Sequence, residues 1–216
     1  YWMFPEYASE GKKLKIKEKI KNFIIKRMSK RDIRIIKKTC DCVFMTSVTF
    51  SRYFSFKNME LLQPGCEIQN HVNYNDKIFI EKKKLTYIFV GGASKKHGTF
   101  LTLKSFEKAN KNHIIAKLIF VCPEHQWKKV KNSVYKKDYD RWLKIYHTCG
   151  DKNLQDLYNK ADIAILTAPN TEYRNFAVPV KIYEYISYNK PILVTDCYET
   201  EKVILDNEIG WSVHDN

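Results

Sequence analysis

Five short apolar runs, each separated from the next by a stretch of helical character, constrain this chain more than any other feature. Residues 86–91 hold Tyr87, Ile88, Phe89 and Val90, and residues 117–122 hold Leu118, Ile119, Phe120 and Val121. Residues 144–149 carry a third run. The last two contain Ile163, Ala164, Ile165 and Leu166 (162–167), and Ile192, Leu193, Val194 and Thr195 (191–196). Consecutive rather than alternating apolar positions suit strands covered on both faces. Helical patterns occupy 99–111, 124–137, 153–161, 179–189 and 200–206, and Trp211, Ser212 and Val213 form a closing strand. Such alternation predicts an α/β fold, a doubly wound parallel sheet of the Rossmann-like kind. Sheets of this type bind ligands at the carboxyl ends of their strands, so the loops leading from strand to helix are where chemistry is expected.

Before this unit the pattern differs. Residues 68–84 mix Asn, His, Asp and Lys without periodicity and read as a linker. It divides a first segment, 1–67, from the α/β unit, 85–216. Within 11–38, Ile16, Ile20, Phe23, Ile24 and Met28 recur at steps of three and four among many lysines, which predicts an amphipathic helix with a basic polar face. Such a helix can pack on its own domain or lie on an anionic membrane surface. Residues 41–47 read as a short buried strand, 50–54 as a helical turn, and Pro64 with Gly65 as the end of the segment. A chain of 216 residues can hold one full domain, or one domain plus part of another.

Composition removes several classes. With 44% hydrophobic and 29% charged residues the chain is neither disordered nor membrane-embedded. No apolar run approaches 18 residues, so any membrane attachment is peripheral. The net charge of +14 suits nucleic acid, anionic lipid or a phosphorylated substrate. Part of it reflects a general excess of Lys, Ile, Asn and Tyr. Cys40, Cys42, Cys66, Cys122, Cys149 and Cys197 show no metal-binding spacing and read as reduced, buried residues of a cytoplasmic protein, membrane-associated or not. The first residues given, Met3 followed by Phe4, Pro5 and Glu6, do not show the basic stretch and apolar run of a signal peptide, which says nothing of what stands before Tyr1. No metal site and no cofactor are expected.

Two strand-to-helix loops can carry chemistry. The first, from Gly91 through Gly92, Ala93, Ser94, Lys95, Lys96 and His97 to Gly98, follows an apolar strand and precedes a helix. Glycines let a ligand approach the backbone, helix-start amides can donate to phosphate oxygens, and Lys95, Lys96 or protonated His97 can add charge. It matches neither the dinucleotide fingerprint nor a P-loop, and a tight turn with solvated lysines is the alternative. The second loop, 168–178, leads to Pro179, a residue favoured at a helix start. The amides of Val180 and Lys181 then face outward, where the helix dipole favours a diphosphate. Lys181 and Glu184 share a face. A carboxylate there can accept both hydroxyls of a ribose, or simply pair with the lysine.

The order of Tyr158, Ala161 and Asp162 before a strand, then Pro179, Lys181, Glu184 and Tyr185 on a helix, then Lys190, Pro191 and Asp196 around the next strand resembles the carboxyl-terminal domain of GT-B glycosyltransferases that use nucleotide-diphosphate sugars. Upstream, 41–47 is similar to the strand that ends that family's amino-terminal domain, and 61–67 to its interdomain stretch. The likeness runs from Asp41 to Val213. It implies that Glu184 binds the donor ribose, that the amides around Val180 and Lys181 hold the diphosphate, and that Gly92, Lys96 and His97 face the same phosphates. It further implies a metal-independent transferase acting on a glycan or lipid-linked acceptor.

The chain departs from the family pattern at three positions. Phe176 stands where many members have a second glutamate, eight residues before the ribose-binding one. Ala93 replaces a phosphate-binding arginine, and His97 replaces a lysine. The likeness implies that 1–67 is the incomplete tail of that family's acceptor-side amino-terminal domain, so no catalytic residue is nominated; His71, His113, His125 and His147 are isolated in sequence. The competing readings are a non-catalytic basic module binding nucleic acid or a membrane, and an inactive transferase remnant. No RNA-binding signature accompanies the 14 Tyr and 12 Phe, so nucleic acid is not the expected partner.

Overall fold

A computed structural model describes residues 16–52, 54–68, 84–148 and 150–215. The chain order begins with helix α1 (Ile16–Thr39) and strands β1 (Val43–Met45) and β2 (Met59–Leu61). The main unit follows: β3 (Leu85–Val90), α2 (Thr99–Ala109), β4 (Ala116–Val121), α3 (Glu124–Val134), β5 (Leu143–Tyr146), α4 (Asp151–Lys160) and β6 (Ile163–Leu166). It ends with α5 (Glu172–Phe176), α6 (Lys181–Ser187), β7 (Ile192–Thr195), α7 (Tyr198–Asp206) and β8 (Gly210–Val213).

The six strands from β3 onward form one parallel sheet in the order β5-β4-β3-β6-β7-β8. Chain order therefore reverses between β3 and β6, and the two halves run outward from that line. Side chains alternate across the sheet. Ile88, Val90, Ile119, Val121, Ile192 and Val194 enter a core with Leu157 and Tyr158 of α4, Ile182 and Tyr185 of α6, and Ile204 of α7. Phe89, Leu118, Phe120 and Ile165 enter another with Leu103 and Phe106 of α2 and Trp127 of α3. Burial on both faces is why the strands read as unbroken apolar runs.

The reversal line is opened by one hydroxyl. β3 and β4 pair at all six positions, whereas β3 and β6 pair only at Tyr87 with Ile163 and Ile88 with Ala164. Beyond that point the buried Tyr185 hydroxyl receives the Val90 amide at 3.2 Å and donates to the Ile165 carbonyl at 3.3 Å. It replaces the ladder bond the strands would otherwise make. The backbone groups stay satisfied while the carboxyl ends of β3 and β6 spread apart.

Several expectations are corrected. α6 begins at Lys181 rather than at 179, because the first turn is made by three-residue bonds from Ile182 and Tyr183 to Pro179 and Val180. It ends at Ser187. Asn189, in the left-handed region with φ of 50°, follows, and Lys190 and Asn189 donate back to Tyr185 and Ile186 as a Schellman motif requires. The loop 168–178 contains a short helix, α5. Strand β1 is not buried, since Phe44 is 64% exposed. Of the cysteines expected inside, Cys122 and Cys197 are buried, whereas Cys40, Cys42 and Cys66 are exposed; Cys149 and His71 lie outside the described residues. So do 1–15 and nearly all of the linker, 69–83.

The turn after β1 docks on the main unit. The buried Ser47 hydroxyl donates to the Phe176 carbonyl, the Thr49 amide donates to Glu199 of α7 at 3.1 Å, and Phe50 meets Phe176 edge-on. On α1, in contrast, Ile16, Ile20, Phe23 and Ile24 are at least half exposed. Among the described residues no helix is long and apolar enough to cross a membrane.

A second Schellman motif closes α7, with Glu208 in the left-handed region at φ of 55° and Ile209 bonded to Ile204 at 3.1 Å. A residue with a Cβ is strained there, and glycine is not. Glu208→Gly is therefore expected to stabilise the fold by about 1 kcal/mol, read as a rise in Tm; an unchanged or lower Tm would contradict the strain argument.

Candidate functional site

The loop after β3 and the loop after β6 meet where the sheet order reverses. Gly98 sits against the backbone of Thr167, so that a Cβ on Gly98 would lie 1.3 Å from the Thr167 carbonyl oxygen. Beneath this contact the Thr102 and Thr167 hydroxyls are hydrogen bonded, and Thr102 also donates to the Gly98 carbonyl at 2.9 Å. The crevice thus has one wall from each loop, and α6 begins at its edge.

The β3 loop is closed on itself. Ser94 accepts from the His97 amide at 3.3 Å and its Oγ lies 2.7 Å from His97 Nδ1. The Ala93 amide donates to Gln126 at 3.0 Å, the Ser94 amide to Thr99 Oγ1 at 2.9 Å, and the Gly98 amide to the Lys95 carbonyl at 3.1 Å. Most amides that sequence reasoning offered to a phosphate are consequently already engaged. Among the described residues, those of Gly92 and Lys95 make no hydrogen bond. Lys96 is exposed and His97 half-buried. Burial first, then the charges of Arg174 and Lys96, hold the His97 imidazole below the usual histidine range, so it stays neutral near pH 7.

On the other wall, Val180 is exposed at the start of α6, and the amides of Val180 and Lys181 have no partner among the described residues. Lys181 Nζ pairs with Glu184 Oε2. The other carboxylate oxygen accepts from the Tyr158 hydroxyl of α4 at 2.7 Å. Tyr158 is completely buried, stacked on Tyr188 at 4.1 Å, and burial foremost keeps its phenol protonated far above the ordinary range. It acts as a permanent donor that fixes Glu184. Sequence reasoning quoted Tyr158 only as part of a pattern; its role became visible once α4 and α6 were seen side by side.

Arg174 was missed altogether. It lies on α5, a helix that did not register in sequence because five residues carry no periodicity, and one of its terminal nitrogens donates to the Lys96 carbonyl at 3.3 Å. Phe176, at the position of the expected second glutamate, is buried against Tyr173 and Phe50 and faces the core. His113, His125 and His147 are exposed, and His147 Nδ1 is 2.9 Å from the Cys122 carbonyl. Among the described residues no group of three or more His, Cys, Asp or Glu is placed to hold a metal ion.

Residues 72–216 match the family described as glycosyl transferases group 1. No curated protein sequence matches the chain. Among solved structures the fold is similar to WaaG, a glycosyltransferase involved in lipopolysaccharide biosynthesis, at 14% identity and a TM-score of 0.55 over 79% of this chain and 48% of that one. It is similar to sucrose-phosphate synthase from Thermosynechococcus elongatus, at 13% identity and a TM-score of 0.66 over 100% of this chain and 53% of that one. TarM matches at 12% identity and a TM-score of 0.61, over 88% of this chain and 36% of that one. The chain spans about half or less of the length of these structures. The six-stranded parallel sheet with helices on both faces is the Rossmann-like arrangement of these GT-B folds.

Proposed function

We propose that this chain, which belongs to the glycosyl transferases group 1 family, supplies the donor-binding half of an enzyme that moves a sugar from a nucleotide-diphosphate sugar to a glycan or lipid-linked acceptor. The observation that supports the reading is that the loops after β3 and β6 meet, Gly98 against Thr167, where the sheet order reverses, while the second loop leads towards α6 with its free Val180 and Lys181 amides and its Tyr158-held Glu184. The crevice between such loops is where open α/β sheets hold nucleotides. In the proposed reaction an acceptor hydroxyl forms a bond to the anomeric carbon and loses its proton, while the bond from that carbon to the diphosphate breaks. Amides of Val180 and Lys181, with Lys96, would stabilise the charge gathering on the departing diphosphate. Titration calorimetry with UDP-sugars and GDP-sugars tests the reading, and absence of binding to either would sink it.

The same reading places the protein at an anionic membrane surface. α1 carries ten Lys and Arg between Lys17 and Lys38 and leaves Ile16, Ile20, Phe23 and Ile24 exposed. Apolar side chains can enter the headgroup boundary while the cations meet anionic lipid. The chain is expected to sediment with phosphatidylglycerol vesicles and not with phosphatidylcholine vesicles, and Phe23→Asp is expected to reduce the bound fraction. Equal sedimentation with both, or with neither, would remove the membrane from this account.

A further inference from the structure

The loop after β6 brings one cation, Arg174, between the two loops that no carboxylate neutralises among the described residues. Arg174 is half-buried, and its Nε is fully buried yet meets no acceptor. Among the described residues no carboxylate forms an ion pair with it. Among the described residues its side chain makes one hydrogen bond, to the Lys96 carbonyl at 3.3 Å across the crevice. A buried donor without an acceptor and a sheltered charge without a partner are both costly. An anion between the two loops would relieve both.

The short helix that carries Arg174 is also held in place. Thr171 caps α5 by accepting the Arg174 amide at 3.3 Å, and Phe176 is anchored in the core. Between them Asn175 donates to Asn170 at 2.8 Å and accepts from the Tyr198 amide at 2.9 Å. The short helix therefore cannot easily swing away. A guanidinium carried on it offers a planar fork matched to phosphate oxygens. Ala93, on the opposite loop, has no charge to offer.

We propose that Arg174 binds the diphosphate of the donor nucleotide, so that the leaving group's charge is met from the loop after β6. This inference rests on the donor-site reading above. Its test is titration of the full chain with UDP, GDP and ADP, beside uridine, guanosine and adenosine, for the wild type, Arg174→Gln and Arg174→Lys. Arg174→Gln is expected to weaken the diphosphate that binds by about 10- to 100-fold and to leave the matching nucleoside unchanged. Arg174→Lys, which retains the charge but not the fork, is expected to fall between. Unchanged diphosphate affinity in Arg174→Gln overturns the inference while leaving the donor-site reading intact. Equal losses for diphosphate and nucleoside also overturn it, since they would mark a general disturbance of the loop. A wild-type chain that binds no diphosphate overturns the donor-site reading and this inference together.

Discussion

Glu184→Ala is expected to weaken binding of the donor nucleotide by about 10- to 100-fold and to lower Tm by about 2–4 °C for each kcal/mol of stability lost. An ionised carboxylate offers about four acceptor positions. In this structure Lys181 takes one on Oε2 and the Tyr158 hydroxyl takes one on Oε1, so that each oxygen retains a free position. Two free positions on one rigid carboxylate suit the two adjacent hydroxyls of a ribose. Alanine removes both. The Lys181 pair adds little to stability, because it is partly exposed and pairs of that spacing contribute only about 0.2–0.5 kcal/mol. The buried Tyr158 hydroxyl loses its acceptor, at a cost of about 1–3 kcal/mol, which sets the size of the stability change. Glu184→Gln separates the terms further, since the amide still accepts from Tyr158 but presents donors towards Lys181, and an intermediate affinity is expected. Calorimetry with the nucleoside alone should show the same loss as the diphosphate. Binding indifferent to both substitutions would remove Glu184 from the site.

How much of this was legible in sequence depends on the range of the interaction. Strands β3, β4, β6 and β7 were found within a residue or two, because burial on both faces forces consecutive apolar positions and leaves few alternatives. β5 was placed late: Leu143, which pairs with Leu118, belongs to the strand, whereas His147 and Thr148 do not. The two loops of the crevice could be specified in advance from topology alone. What sequence could not show is which groups meet across them. Tyr158 and Glu184 are 26 residues apart, and Arg174 and Lys96 are 78 apart. Nothing local marks either pairing. The amides of the β3 loop were overvalued for the same reason, since their capture by Gln126 and Thr99 is set by tertiary packing. On α1 the periodicity correctly gave a helix and an apolar stripe but could not choose between a packed and an exposed stripe, and among the described residues Phe23 is 66% exposed.

The crevice itself depends on a missing side chain, and Gly98→Ala should be the most damaging single substitution among the glycines of the site loops. Gly98 has φ of 78°, a conformation that costs a residue with a Cβ about 1–2 kcal/mol, and its Cβ would fall 1.3 Å from the Thr167 carbonyl oxygen. The obstacle is backbone on both sides, so no rotamer change can relieve it. Either the β3 loop or the β6 loop must retreat, breaking the Thr102 to Thr167 hydroxyl pair that lies beneath. Together these terms amount to a loss of about 4 kcal/mol, and for a chain of this size about 10 °C in Tm. Gly150 isolates the conformational part, because it also has positive φ, 93°, but no atom stands within 4 Å of its added Cβ. Gly150→Ala should therefore cost only about 1 kcal/mol. Gly65, with open space and no positive φ, should tolerate alanine. If Gly98→Ala melted within a degree or two of the Gly65 variant, the close approach of the two loops would be wrong, and with it the crevice. If it melts as expected yet retains donor affinity, the loops can separate without releasing the nucleotide, and binding would then rest on α6, Glu184 and Arg174 without the β3 loop.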